Sequence, residues 1–237
     1  MNRILVAYAT MAGSTAEVAQ AVGEEIVKSG IQVDILPLDE VRDLQAYDGV
    51  VVGGPMIMGW HRAALRFLKK HRDAFQRIPL AVFVTAMSLT RTRATSVGGV
   101  PVTVDEKLPK PPEKEGSLNF RERYARLTNY LQPILQATRP VKPASIGIFG
   151  GRLEYGRLKW WAVLFVMLVI QAPAGERRNW PAIRAWAARA PSGIPAGGHE
   201  SRFDEATSRK HLMQVSRLRT GNLLWRCSYC LFLFQPG

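Results

Sequence analysis

Apolar positions along the first half of this chain change their period repeatedly. "RILVAYA" (Arg3–Ala9), "GVVVGG" (Gly49–Gly54), "LAVFVTA" (Leu80–Ala86) and "SIGIFGG" (Ser145–Gly151) are short continuous apolar runs. "IQVDILPL" (Ile31–Leu38) instead alternates in and out. Continuous runs bounded by Gly or polar residues predict strands buried on both faces. Between the runs the period lengthens. Val18, Val22 and Ile26 recur every four residues within Ser14–Ser29, and Ala64, Leu65, Phe67 and Leu68 give one apolar face from His61 to about Phe75. Strands alternating with helices predict an α/β protein with a doubly wound parallel sheet. Ligands of such sheets bind beyond the carboxyl ends of the strands, so the strand-to-helix turns are the places to look.

Three regions break the rhythm. Ser88–Asn119, with "LPKPPEKEG", is rich in Pro, Gly and charge, has little to bury, and predicts a long excursion from the sheet. "LKWWAVLFVMLVIQ" (Leu158–Gln171) is apolar nearly all round but well short of the ~20 residues that cross a bilayer. It is either a core helix or a segment that docks on a membrane surface. "PSGIPAGG" (Pro191–Gly198) predicts a linker, giving a domain over residues 1–190 and a poorly ordered tail over 191–237.

Charge sharpens this picture. The chain has 237 residues and a net charge of +13, but residues 1–50 hold three Lys/Arg against eight Asp/Glu, a net of −5. The remainder carries 29 against 11, a net of +18. A basic face suits an anionic partner, and the competing reading is a merely soluble surface. No zinc-finger spacing, RNP motif or helix-turn-helix cue accompanies the charge, so nucleic acid is not the expected partner. Cys227 and Cys230 form a lone CxxC in the tail, without a second pair or well-spaced histidines; no metal site is predicted and the motif is assigned no chemistry. No signal-like stretch opens the chain and no disulfide framework spans it, so the expected compartment is the cytoplasm.

The turn after the first strand, Thr10-Met11-Ala12-Gly13-Ser14-Thr15, carries the chemistry. Ser14 with Glu17 three residues on is a capping-box pattern that starts a helix. Backbone N–H groups at a helix N-terminus bind phosphate without a cationic side chain. The hydroxyls of Thr10, Ser14 and Thr15 would add donors, and Gly13 would allow close approach. There is no Gly-Lys-Ser/Thr of a Walker loop and no G-x-G-x-x-G, and an acidic residue of a receiver domain is absent where Ala9 and Thr10 stand. A capped turn without ligand is the alternative. Two further turns share the sheet edge: "GGPMIMGWH" (Gly53–His61) and "TAMSLTR" (Thr85–Arg91). Pro55, Met56, Ile57, Met58, Gly59 and Trp60 of the one, and Thr85, Ala86, Met87 and Ser88 of the other, could supply the flat apolar walls and backbone groups that a flavin ring requires. Taken singly, the methionines and Trp60 suit ordinary packing as well. No catalytic group is assigned; His61 is the one titratable residue in a predicted flavin loop, and equally suits a helix N-terminus facing solvent.

"TMAGSTAEVA", "GGPMIMGWHRAALRFLKKH" and "GGRLEYGRLKWWAVLFVMLV" with "NWPAIRAWAARA" together resemble the flavodoxin-fold family, and more closely its menaquinone-dependent protoporphyrinogen oxidase branch, over roughly Asn2 to Ala190. The resemblance implies a flavodoxin-like five-stranded parallel sheet of order 2-1-3-4-5 with helices on both faces, and FMN as cofactor, held by the residues of the three turns. It also implies an oxidoreductase that passes electrons from a porphyrinogen to a quinone or other acceptor, and a membrane-contacting role for Leu158–Gln171 at the inner face of the membrane. The alternative is a soluble flavodoxin-type electron carrier, against which the basic charge speaks. Ser88–Asn119 looks longer than its counterpart, "QAPAGE" replaces a Gly-Gly-Glu-Thr-like turn, and 191–237 has no counterpart.

Overall fold

The computed structural model describes residues 3–57, 59–92, 94–112, 117–154, 156 and 175–190. Met58, the segment Leu158–Gln171 and the tail with its CxxC lie outside the described residues.

The predicted strands form β1 (Arg3–Tyr8), β2 (Gln32–Pro37), β3 (Gly49–Pro55) and β4 (Leu80–Ala86), and the predicted helices open as α1 (Ser14–Val27) and α2 (Arg62–Lys70). α2 is shorter than expected: the chain turns at His71 and makes one 3₁₀ turn at Ala74–Gln76. The region Ser88–Asn119 contributes β5 (Leu89–Thr90), β6 (Ser96–Val97), β7 (Val100–Val104) and β8 (Pro109–Lys110). There follow α3 (Phe120–Tyr124), α4 (Leu127–Thr138), β9 (Ser145–Gly150), β10 (Arg152–Leu153), β11 (Gly175–Glu176) and α5 (Trp180–Arg189).

Among the described residues the central sheet runs β2-β1-β3-β4-β9-β7-β6. Its first five members, all parallel, are the expected strands in the expected 2-1-3-4-5 order. Alternation within each strand sorts the core into two layers. Ile4, Val6, Val51, Ala81, Phe83 and Phe149 meet Val18, Val22 and Ile26 of α1 and Ile183 and Trp186 of α5. Leu5, Ala7, Val50, Val52, Val82, Val84 and Ile148 meet Ala64, Phe67 and Leu68 of α2 and Leu131 and Ile134 of α4. The Trp186 indole donates to Ser145 Oγ at 2.8 Å and packs edge-on against Phe149.

The expectation for Ser88–Asn119 needs correction. Far from having little to bury, it sends Leu89, Val100, Val102 and Leu108 into the core. β7 extends the sheet parallel to β9, pairing Val102 with Ile146 and Val104 with Ile148. β6 folds back antiparallel on β7 through Gly98 and Gly99, whose φ angles of 61° and 79° suit the two-residue turn that a right-twisted hairpin requires. At the end of β7 the Asp105 carboxylate, 1% exposed, accepts from the Lys107 N–H at 3.0 Å, the Asn179 amide at 2.9 Å and the Gly150 N–H at 3.4 Å. The insert, β9 and the lead into α5 are thus joined by one buried acceptor.

The lead into α5 crosses β9 closely. A Cβ on Gly150 would stand 1.9 Å from the Arg177 carbonyl oxygen and 2.6 Å from its carbon. Because the obstacle is backbone, no rotamer change relieves it. Gly150→Ala is expected to destabilise the fold by about 1–3 kcal/mol, read as a lower urea midpoint with an unchanged slope.

Candidate functional site

Four strand ends lie side by side at the carboxyl edge of the sheet, and the turns leaving β1, β3, β4 and β9 surround an open cleft of about 440 Å³.

The first turn forms one end. Gly13, with φ 86°, is the N-cap of α1, and its N–H donates to Thr10 Oγ1 at 2.9 Å. The expected capping box does not form. Ser14 is already helical, and its Oγ accepts from the Arg152 N–H at 2.9 Å. The Glu17 carboxylate turns instead to the guanidinium of Arg178. The first intrahelical bond runs from the Glu17 N–H to the Gly13 carbonyl, so the N–H groups of Ser14, Thr15 and Ala16 have no carbonyl within their own helix. Thr15, expected to add a donor for phosphate, is 1% exposed with its hydroxyl 3.0 Å from that of Thr85. This contact ties the first turn of α1 to the end of β4.

The other turns supply the walls. The Met56 N–H donates to the Thr85 carbonyl at 2.8 Å, and the Ile57 N–H to Gly59 at 3.0 Å. The Tyr130 hydroxyl, pushed up to about 12 by burial, donates to the Ser88 carbonyl at 2.9 Å. The Arg177 guanidinium donates to the Met87 carbonyl at 2.6 Å, and the Gly151 N–H to Ala86 at 2.9 Å. Of the residues expected to bind the cofactor, Thr10, Met11, Ala12, Ser14, Thr15, Pro55, Met56, Ile57, Thr85, Ala86 and Met87 line the cleft. Gly13, Gly59 and Ser88 stand in the same turns but not in the lining. Trp60 is no wall: it is 2% exposed, and its indole donates to the Gly54 carbonyl at 3.0 Å.

Gly151, Arg152 and Leu153 also line the cleft. Sequence reasoning missed them, although "GGR" follows the fifth strand and the rule that singled out the other turns applies to it. β10 and β11 pair antiparallel there, Arg152 opposite Glu176. Around this ribbon Arg178 bonds Glu176 and Glu17 and lies over the Trp180 ring at 4.6 Å. The hydrogen bond from Arg178 holds the Glu176 carboxyl below the usual range, and the same contact raises Arg178. The lining therefore offers apolar walls and, at the α1 end, hydroxyls and outward N–H groups. A flat ring carrying a terminal phosphate fits that arrangement.

His61 is the N-cap of α2, its Nδ1 accepting from the Ala63 N–H at 3.3 Å. It is not among the residues lining the cleft. Burial, aided by Arg66, lowers its pKa, and burial with Lys70 lowers that of His71, which packs 4.5 Å from the Phe67 ring. Both imidazoles are therefore favoured neutral in the fold, and the unfolded chain binds more protons. Their contribution is fully present above the unfolded value of about 6.5 and is lost as pH falls below it. Thermal midpoints should fall from pH 7.5 to 5.5, and the fall should shrink in the His61→Gln, His71→Gln double variant.

Residues 5–179 match the flavodoxin domain family. Protoporphyrinogen IX dehydrogenase [quinone] of Escherichia coli (strain K12) is 23% identical over 177 residues, covering 73% of this chain and 82% of that protein. Among solved structures, a flavodoxin from the domain Archaea aligns with 81% of this chain and 98% of its own at 10% identity and a TM-score of 0.43. A short-chain flavodoxin associated with a non-canonical PDU bacterial microcompartment aligns over 36% of this chain and 62% of its own, at 22% identity and a TM-score of 0.31. The fold rests on the strand order above, and the family match covers most of the chain. This chain belongs to the flavodoxin domain family, and FMN is its cofactor.

Proposed function

We propose that the protein is an FMN-dependent oxidoreductase that takes electrons from a porphyrinogen-class substrate and passes them to a quinone at an anionic membrane surface. The observation that carries this reading is the similarity, along 82% of its length, to a relative named for that substrate and acceptor. FMN supplies the redox step, accepting an electron pair from the reduced substrate and releasing it to the acceptor. The residues of the chain do the rest. The outward N–H groups at the start of α1 hold the phosphate, while Met56, Ile57 and Met87 flank the ring. Thr15 and Thr85 fix the two sides of the cleft relative to each other.

The β10–β11 ribbon supports the membrane reading. Leu158–Gln171 lies in the sequence between Leu153 and Gly175, which pair with each other, and Leu153 lines the cleft. The chain that carries this apolar segment leaves the lining at Leu153, which suits an acceptor dissolved in lipid that must reach the flavin. The exposed residues Arg62, Arg66, Lys69, Lys70 and Arg72, on and just after α2, suit anionic headgroups, each adding about 1 kcal/mol near such a surface. Among the described residues no helix is long and apolar enough to cross a membrane.

Anaerobic mixing of the FMN-loaded protein with protoporphyrinogen should bleach the flavin absorbance, one electron pair per flavin, and the six-electron oxidation should run on to porphyrin fluorescence only with excess quinone. A quinone added next should restore the flavin spectrum. If the flavin cycles with one-electron donors but leaves the porphyrinogen untouched, the protein is an electron carrier. Co-sedimentation with vesicles should require anionic lipid, weaken with salt and fall when Trp160 and Trp161 are replaced by Ser. If the wild-type protein ignores such vesicles and the replacements only unfold it, Leu158–Gln171 is a core helix.

A further inference from the structure

Two arginines stand at the first turn of α1 and are held differently. The Arg178 side chain is 4% exposed, bonds Glu176 through Nε at 2.7 Å and again through its terminal nitrogen, and donates to Glu17. It is locked by geometry and by the Trp180 ring. Arg152 is 31% exposed and lines the cleft. Its guanidinium is 3.9 Å from Glu17 and 4.0 Å from Glu176, beyond hydrogen-bond length, and its close partner among the described residues is Glu154, two positions along. Its backbone is nevertheless fixed to the turn, because its N–H donates to Ser14 Oγ at 2.9 Å.

We propose that Arg152 is the cation that reads the phosphate of FMN, its guanidinium exchanging the Glu154 carboxylate for the phosphate oxygens at the start of α1. The inference rests on placing the phosphate at the Thr10–Thr15 turn. Outward N–H groups alone can hold a phosphate, but here Glu17, Glu154 and Glu176 crowd the same turn and oppose a dianion. Arg178 bonds two of these carboxylates, and among the described residues Arg152 is the second arginine facing Glu17 and Glu176. A phosphate carries about −1.5 to −2 near neutral pH and presents several oxygens to the guanidinium fork. A single half-exposed carboxylate competes poorly with it.

The test is titration of the apo-protein with FMN and with riboflavin, followed by quenching of flavin fluorescence. R152Q keeps the backbone N–H to Ser14 and removes the charge. FMN affinity should fall about tenfold, the loss of one charge-assisted bond at a partly exposed site. Riboflavin affinity should stay unchanged, which also reports an intact cleft. R152K should recover part of the loss. The gap between wild type and R152Q should narrow below about pH 6, where the phosphate takes up its proton. Equal weakening of FMN and riboflavin, or no change in either, overturns the proposal. Gly13→Val run in parallel separates the two levels. If it weakens FMN while R152Q does not, only the role of Arg152 fails; if it too spares FMN, the phosphate does not sit at this turn.

Discussion

β1, β3, β4 and β9 are buried on both faces and run parallel, and most of the molecule follows from that constraint. A strand with apolar residues on both sides must be covered twice, and parallel neighbours can be joined only by crossovers that return over a face. Each crossover leaves from the same edge, so turns far apart in sequence meet there. Thr10, Met56, Met87 and Arg152 come from four such departures and share one cleft. The site is a by-product of covering the sheet, and the bond between Thr15 and Thr85 closes it by joining the first and third departures.

Packing fixes the edge in place. Gly53 leaves room for the Phe83 ring, whose nearest carbon would lie 1.9 Å from any Cβ there. Phe83 and Phe149 in turn seat Trp186, so α5 is locked against the strands whose ends build the cleft. Asp105 extends the same logic to the insert, since a buried carboxylate with only neutral donors is tolerable where those donors are all satisfied. The insert is therefore part of the sheet's hydrogen-bonding system and not an ornament on its surface.

How much of this the sequence disclosed depends on the range of the interaction. Strands and helices with a clean period were legible, as were eleven of the cleft residues, because position after a buried strand is a local property. The hairpin of β6 and β7 was also locally written: "SVGGV" places two glycines between short β-prone pieces, but the Pro and charge around it hid the signal. Sequence alone leaves Trp60 open between a wall and ordinary packing, because an aromatic residue in a binding loop and one folded behind its own strand look alike until the Gly54 carbonyl offers its indole a partner. Ser14 and Glu17 matched a capping box, yet both were claimed by residues more than 130 positions away, Arg152 and Arg178. Competition of that kind leaves no local trace. A reciprocal cap does form at Asn119 and Glu122.

The two-residue ribbon of β10 and β11 has a consequence for how such proteins diversify. By pairing Arg152 with Glu176 it pins both ends of everything between them, so the closure entropy of the intervening chain is met at its base. That cost grows only logarithmically, by about 0.6 kcal/mol for each doubling of length. Relatives can therefore lengthen, shorten or replace the intervening residues while the strand register and the cofactor cleft stay as they are. A ribbon of this kind is a grafting point, at which one redox core can be fitted to different acceptors and surfaces.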